Sequence, residues 1–176
     1  MLREAKPTRL EDLIALNALY RPGPIQSGMI DDFISRRHGK TRVAYDDARL
    51  EPVLAPTYGV IVYQEQVMKI ASVLAGYTLG QADLLRKAMG KKNLEVMQSE
   101  RKRFVAGCRE HSHLAEKRAG EIYDKVEKFA GYGFNRSHSA AYALVAYRTA
   151  WLKTHYPEYF RAALLTTEKG DTDKLV

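Results

Sequence analysis

Apolar residues in this chain recur every three or four positions, and nearly every such run is closed by a glycine or a proline. That period places one apolar stripe on a helix and leaves no room for the alternation a half-buried strand needs. Thr8 with Glu11 reads as a capping box opening a helix that carries Leu10, Leu13, Ile14 and Leu16 and stops at Arg21-Pro22-Gly23-Pro24, a rigid turn. A short helix is predicted from about Ser27 to His38, with Gly39 as its left-handed cap. Residues 40 to 57 are the least regular part, broken by Pro52 and Pro56. Val60-Ile61-Val62-Tyr63 is strand-like, or else the buried start of the helix that continues to Gly76. Thr78 with Gln81 is a second capping box, opening a helix that ends at Gly90. Asn93 is placed to cap the next helix, with Leu94, Met97, Phe104 and Val105 on it. Further helices are expected over about 115–130 and from near Ser137 to Tyr156, with Pro157 in the first turn of a last one ending near Thr167. The expectation is an all-α fold with at most one short strand-like segment, residues 1–176 forming one domain.

Several function classes find no support. No apolar run approaches the roughly 18 residues of a membrane span, and Arg3-Glu4-Ala5-Lys6 directly after Met1-Leu2 leaves no apolar core for a secretory leader. The lone Cys108 makes neither an internal disulfide nor a metal site, which suits a reducing cytoplasm; a small buried helix residue explains it. There is no phosphate loop, no H-E-x-x-H and no paired-cysteine zinc pattern. Asp31-Asp32 and Asp46-Asp47 read as solvated faces, so no set of carboxylates for two catalytic metals is expected.

Charge is more informative. Lys and Arg number 28 against 21 Asp and Glu, a net +7, which favours a polyanionic partner only weakly. The excess is uneven: Arg86, Lys87, Lys91, Lys92, Arg101, Lys102 and Arg103 face only Glu95 and Glu100. Cations at a helix end are partly explained by the macrodipole. The functional alternative is a phosphate clamp around Arg86, Lys87 and Lys91, in which Arg offers a planar fork and Lys a point charge. A second constellation runs from Phe129 to Tyr142. Its glycines allow close backbone approach, and its aromatic rings offer stacking faces worth about 1–3 kcal/mol per base. Asn135, His138 and Tyr142 fall on one helical face, although a structural histidine and core aromatics would account for them too. Arg21 sits on a rigid turn, either presented to an anion or part of a plain connector.

Taken in order, the blocks Ala18-Leu19-Tyr20-Arg21-Pro22-Gly23-Pro24, Tyr58 through Met68 (YGVIVYQEQVM), Ala82 through Lys92 (ADLLRKAMGKK), Phe129 through Tyr142, and Trp151-Leu152-Lys153-Thr154-His155-Tyr156-Pro157 resemble the C-family polymerases, the bacterial polymerase III alpha subunits. The resemblance covers essentially the whole chain and implies the fingers region, which binds the incoming deoxynucleoside triphosphate and shapes the nascent base-pair pocket. It implies triphosphate contacts at Arg86 and Lys87, extended here to Lys91 and Arg21. A base-pair pocket is implied at Asn135, Arg136, Ser137, His138 and Tyr142. Lys87 stands where many members carry a second arginine, and Arg136 where lysine is common. The catalytic aspartates and their Mg²⁺ belong to the family's palm, so this chain is expected to hold no catalytic or metal-binding residue and to be inactive alone. Primer-template DNA, the palm and other replicase subunits are the implied partners, with no membrane, in the cytoplasm. Two rivals come from other classes: a non-catalytic basic helical module that binds nucleic acid through the Arg86–Arg103 cluster, and a helical scaffold with a merely soluble basic face.

Overall fold

A computed structural model describes residues 1–91 and 94–170. Eleven α-helices and three-residue 3-10 turns make up the described regular structure, with no strand among them. The all-α expectation is met. The Val60–Tyr63 run stays extended but forms a single parallel bridge, from Tyr63 to Phe134.

Of the first helices, α1 (Leu2–Ala5), α2 (Leu10–Leu19), α3 (Pro22–Gln26) and α4 (Met29–Arg37), all but α3 contribute to one apolar cluster around Leu16, Leu19 and Phe33. The Arg21-Pro22-Gly23-Pro24 turn is thus partly helical: Pro22 opens α3, where its missing N–H costs nothing. The expected capping box at α2 shifts by one residue. The Asp12 carboxylate, not Glu11, accepts the backbone N–H groups of Thr8 (3.1 Å) and Arg9 (3.4 Å). Asp12 wins because it is also bound from outside the helix, by Arg37 Nε (3.0 Å) and the Tyr58 hydroxyl (3.0 Å). Gly39 does take the left-handed conformation, at φ 69°.

Residues 40–57 are more regular than expected. Two 3-10 turns flank the one-turn α5 (Glu51–Leu54), with Pro52 and Pro56 in positions where no N–H is needed. Asp46 and Asp47 are not a solvated face either. Asp46 receives Arg118 and Lys125, and Asp47 receives Arg49, so this pair ties the segment to the helix that carries Arg118 and Lys125, and to itself. Asp31 and Asp32 are exposed, as read from the sequence.

A second apolar cluster is built by α6 (Gln64–Ala75), α7 (Leu79–Lys91), α8 (Leu94–Ser112) and α9 (Glu116–Ala130), around Leu74, Leu85, Phe104 and Tyr123. The Thr78–Gln81 box forms as expected, through Thr78 N–H to Gln81 Oε1 (3.0 Å) and Gln81 N–H to Thr78 Oγ (3.4 Å). The Asn93 cap lies outside the described residues. Cys108 is fully buried on α8, and burial pushes its thiol pKa up to about 12, which leaves it a packing residue. Gly107 lets α8 touch α6, because a Cβ there would stand 2.5 Å from the Ala75 carbonyl oxygen.

The last two helices are α10 (Arg136–His155) and α11 (Pro157–Thr167). Only Ser139 and Ala143 of α10 are buried, and they lie against α2. Beyond Ala143 the arm leaves Val145, Tyr147, Trp151, Tyr159, Leu164 and Leu165 exposed, at 43–77 % of their full area. So much contiguous apolar surface predicts self-association of the isolated chain. Sedimentation is expected to show an average mass that rises with concentration; one constant monomer mass would contradict this. Among the described residues no helix is long and apolar enough to cross a membrane.

Candidate functional site

The extended run before α6 is fixed by a buried amide. Gln66 Oε1 accepts the N–H groups of Val62 (2.8 Å) and Tyr63 (2.9 Å), while its Nε2 donates to Thr57 Oγ1 (2.7 Å) and the Val53 carbonyl (3.2 Å). Both ends of the amide are therefore satisfied, as a buried polar group requires. This holds Val62 and Gln64 ready for a distant partner. Phe134 N–H donates to the Val62 carbonyl (3.1 Å), and Gln64 N–H to the Phe134 carbonyl (3.0 Å). The Gly131–Asn135 loop is thereby docked against the start of α6.

Gln64 then joins the two candidate regions. Its Nε2 donates to the Gly133 carbonyl (3.2 Å), and its Oε1 accepts from Arg86 of α7 (3.2 Å). Arg86 and the Gly-rich loop are thus linked through one side chain. The cations of α7 are themselves held by Asp83, one turn earlier. Arg86 reaches it at 2.7 Å and Lys87 at 2.7 Å. Bonds from Lys87, then Arg86, hold the Asp83 carboxyl below the usual carboxylate range. Both cations remain partly solvent-exposed, Lys87 more than Arg86. Lys91 closes α7, and Lys92 lies outside the described residues.

On the other side, Asn135 caps α10 by accepting the His138 N–H (2.8 Å), and Glu65 accepts the Arg136 N–H (3.1 Å). Arg136 also lies over the Tyr63 ring, 5.9 Å from its centroid. The Phe134, His138 and Tyr142 rings form a continuous row, with successive centroids 5.4 and 4.7 Å apart. Asn135, Arg136, Ser137, His138 and Tyr142 are all exposed, whereas Phe134, at the inner end of the row, is half-buried against the first apolar cluster. Ser139, next to it, is buried and donates to the Ile14 carbonyl (2.6 Å), which pins the start of α10 to α2.

Arg21 reaches the loop from the N-cap of α3. Its Nε donates to the Ala18 carbonyl (2.8 Å), another guanidinium nitrogen donates to the Tyr132 carbonyl, and the group lies over the Phe134 ring at 4.6 Å. Tyr132 in turn fills the space above Gly23, where a Cβ would come within 2.5 Å of its ring. The basic run itself is not an open stripe: Arg101 pairs with Asp124, and Arg103 with Glu100 and the Tyr77 ring.

Comparison with known proteins decides the family. The model of the bacterial DNA polymerase III alpha subunit finger domain matches residues 1–112. The chain belongs to the bacterial DNA polymerase III alpha subunit family. It is 60 % identical to DNA polymerase III subunit alpha of Pseudomonas aeruginosa over 181 aligned positions, covering all of this chain and 15 % of that protein. The Haemophilus influenzae and Escherichia coli K12 subunits are 58 % and 56 % identical, again over all of this chain and 16 % of each. The chain thus spans roughly a sixth of the length of these relatives. The fingers match covers α1 to α8, whereas the row on α10 lies in the part matched by the whole-chain relatives.

Three members of the site were not singled out from sequence. Asp83 carries a local signal, because its spacing to Arg86 and Lys87 is the three- and four-residue spacing of helical ion pairs. Gln64 and Glu65 carry none: their partners lie in Arg86 and in the 133–136 segment.

Proposed function

We propose that this chain forms the fingers of a replicative DNA-directed DNA polymerase and receives the incoming deoxynucleoside triphosphate beside the nascent base pair. The link from Arg86 through Gln64 to the Gly133–Phe134 loop carries this reading, because it sets cations and a row of flat rings on one connected frame. Asp83 occupies Arg86 and Lys87 as a phosphate would, so a triphosphate has a ready pair of donors to take over. During attack of the primer 3′-hydroxyl on the α-phosphorus, Arg86 and Lys87 neutralise charge developing on the departing pyrophosphate. Lys91 adds positive charge from the end of the same helix. Arg21 approaches from the N-cap of α3 and holds the Tyr132–Phe134 segment in place. Asn135, Arg136, Ser137, His138 and Tyr142 line the base-pair side, where His138 and Tyr142 offer stacking faces.

The chemistry itself needs metal-holding carboxylates; among the described residues Asp46, Asp47 and Asp83 are engaged by Arg and Lys, and no acidic or histidine cluster suited to a metal occurs. In this reading, as the family resemblance implies, Mg²⁺ and the catalytic aspartates belong to a palm outside this chain. The chain alone is inactive, and it works in the cytoplasm with primer-template DNA and the other replicase subunits.

Replacing Arg86 and Lys87 together by alanine in the full-length polymerase is expected to raise nucleotide KM or lower kcat by about tenfold or more, the loss of one to two charge-assisted contacts. Affinity for primer-template DNA should stay largely intact. Unchanged steady-state kinetics would refute the assignment. Adding a palm to the chain should restore primer extension with Mg²⁺, whereas extension by the chain alone would contradict its assignment as fingers only.

A further inference from the structure

Gln64 is the first residue of α6, and its backbone and side chain do separate work. Its N–H, which finds no acceptor inside the first helical turn, donates to the Phe134 carbonyl. Together with the Phe134 N–H on the Val62 carbonyl, that bond docks the Gly131–Asn135 loop without help from the side chain. The side-chain amide has two partners, and they leave it one orientation. The Gly133 carbonyl only accepts, so it takes Nε2; the Arg86 guanidinium only donates, so it takes Oε1. A flipped amide would lose both bonds.

Arg86 is held from two sides in consequence. Asp83 accepts from its Nε (2.9 Å) and Nη2 (2.7 Å), and Gln64 accepts from its Nη1 (3.2 Å). The two holds differ in kind. Asp83 lies on the same helix and is an anion, so a phosphate group competes with it for the same nitrogens. Gln64 comes from another helix and is neutral, so it can keep Nη1 while the carboxylate is displaced. The Arg86 side chain is 30 % exposed, which leaves a guanidinium freed from both room to swing into solvent. We infer that Gln64 is a positioning residue for nucleotide use. It keeps Arg86 aimed at an incoming triphosphate after Asp83 gives way, and the Gly133 carbonyl keeps the amide turned to do so. The inference rests on the proposed triphosphate contact of Arg86 and adds that this side chain is ordered before the nucleotide arrives.

Gln64→Met in the full-length polymerase tests it, because methionine keeps the length of the side chain, removes both amide bonds and leaves the backbone bridge. The nucleotide KM is expected to rise about 2- to 10-fold, the effect of having to order one long side chain on binding. Because that ordering is complete once the nucleotide is bound, kcat should stay within about twofold. In an Arg86→Ala background the same change should add nothing, since Gln64 acts through Arg86. Gln64→Ala makes the same test if the methionine variant does not fold. Unchanged KM, a fall in kcat without a rise in KM, or an equal further loss in the Arg86→Ala background would each overturn the inference and leave the nucleotide reading standing. So would failure of both variants to fold, which would make the amide a structural tie. Unchanged kinetics in Arg86→Ala alone would overturn the triphosphate contact and the inference with it.

Discussion

Asp12→Ala is expected to destabilise the chain by about 3–5 kcal/mol, the cost of removing one partner from a buried ion pair. Asp12 is 1 % exposed and the Arg37 side chain 8 %. Arg37 also donates to the Ala5 carbonyl (2.6 Å) and Thr8 Oγ1 (3.0 Å), so it cannot swing out to water without giving up the packing of α1. Without the carboxylate, Arg37 keeps its charge and loses its counter-ion, while Thr8, Arg9 and Tyr58 lose an acceptor. Asp12→Asn keeps the shape and should lose less. The same network sets an acid limb. Burial raises the Asp12 pKa, but hydrogen bonds from Arg37, Thr8 and Tyr58 outweigh it, and the net shift is downward. A carboxyl depressed in the folded state contributes stability that is fully present above its unfolded pKa of about 3.9 and is lost as pH falls through the lower folded value. Urea midpoints measured from neutral pH down through that range should therefore fall less steeply in Asp12→Asn than in the parent. Parallel slopes, or a loss below about 1 kcal/mol in Asp12→Ala, would show that the network is not what holds α1, α2 and α4 together.

Phe104→Ala is expected to cost a comparable ~3–5 kcal/mol by leaving a cavity in the second cluster. The ring is 1 % exposed and lies between Tyr77 (centroids 6.4 Å apart) and Tyr123 (5.6 Å). Those tyrosines are themselves fixed, Tyr123 to the Met97 carbonyl (2.9 Å) and Tyr77 to Glu100 (3.2 Å), so they cannot collapse into the void without breaking hydrogen bonds. Phe104→Leu fills most of the volume and should lose less. Leu85 and Met89 of α7 sit in the same cluster, and Arg86 and Lys87 lie between them in sequence. The truncated variant should therefore also weaken nucleotide use in a full-length enzyme, by loosening the helix that presents the cations. Denaturant midpoints decide the first point. An Ala variant no less stable than the Leu variant would mean that the ring is not packed as described.

Most of the helical punctuation was legible because it is local. Thr78–Gln81, Gly39 and Gly76 satisfy backbone groups within a few residues, and Pro157 lacks the N–H that a first helical turn leaves unpaired, so their roles can be read without knowing the fold. Local reading failed where a distant group competed. Asp12 displaced Glu11 because Arg37 and Tyr58 claim it. Asp46 turned from a solvated acid into an anchor because α9 supplies Arg118 and Lys125. The strand-like run at Val60 stayed extended yet found only Phe134 as a partner, and no short-range pattern announces a neighbour that far along the chain. The candidate site divides in the same way. Arg86 and Lys87, with the Asn135–Tyr142 face, were visible as residue types at suggestive spacings. The Gln64 link between them was not.

Among the described residues, helix α10 is buried only near its beginning, where Ser139 and Ala143 meet α2, and about 18 Å of it continues past Ala143 at 1.5 Å per residue. That makes it a boom pivoting beside the aromatic row. A tilt of about 10° at the pivot carries its far end roughly 3 Å, given that rigid length. Whatever shifts His138 and Tyr142 on their face is thereby amplified at Trp151 and Tyr156, and a load on those outer rings is transmitted back to the pivot.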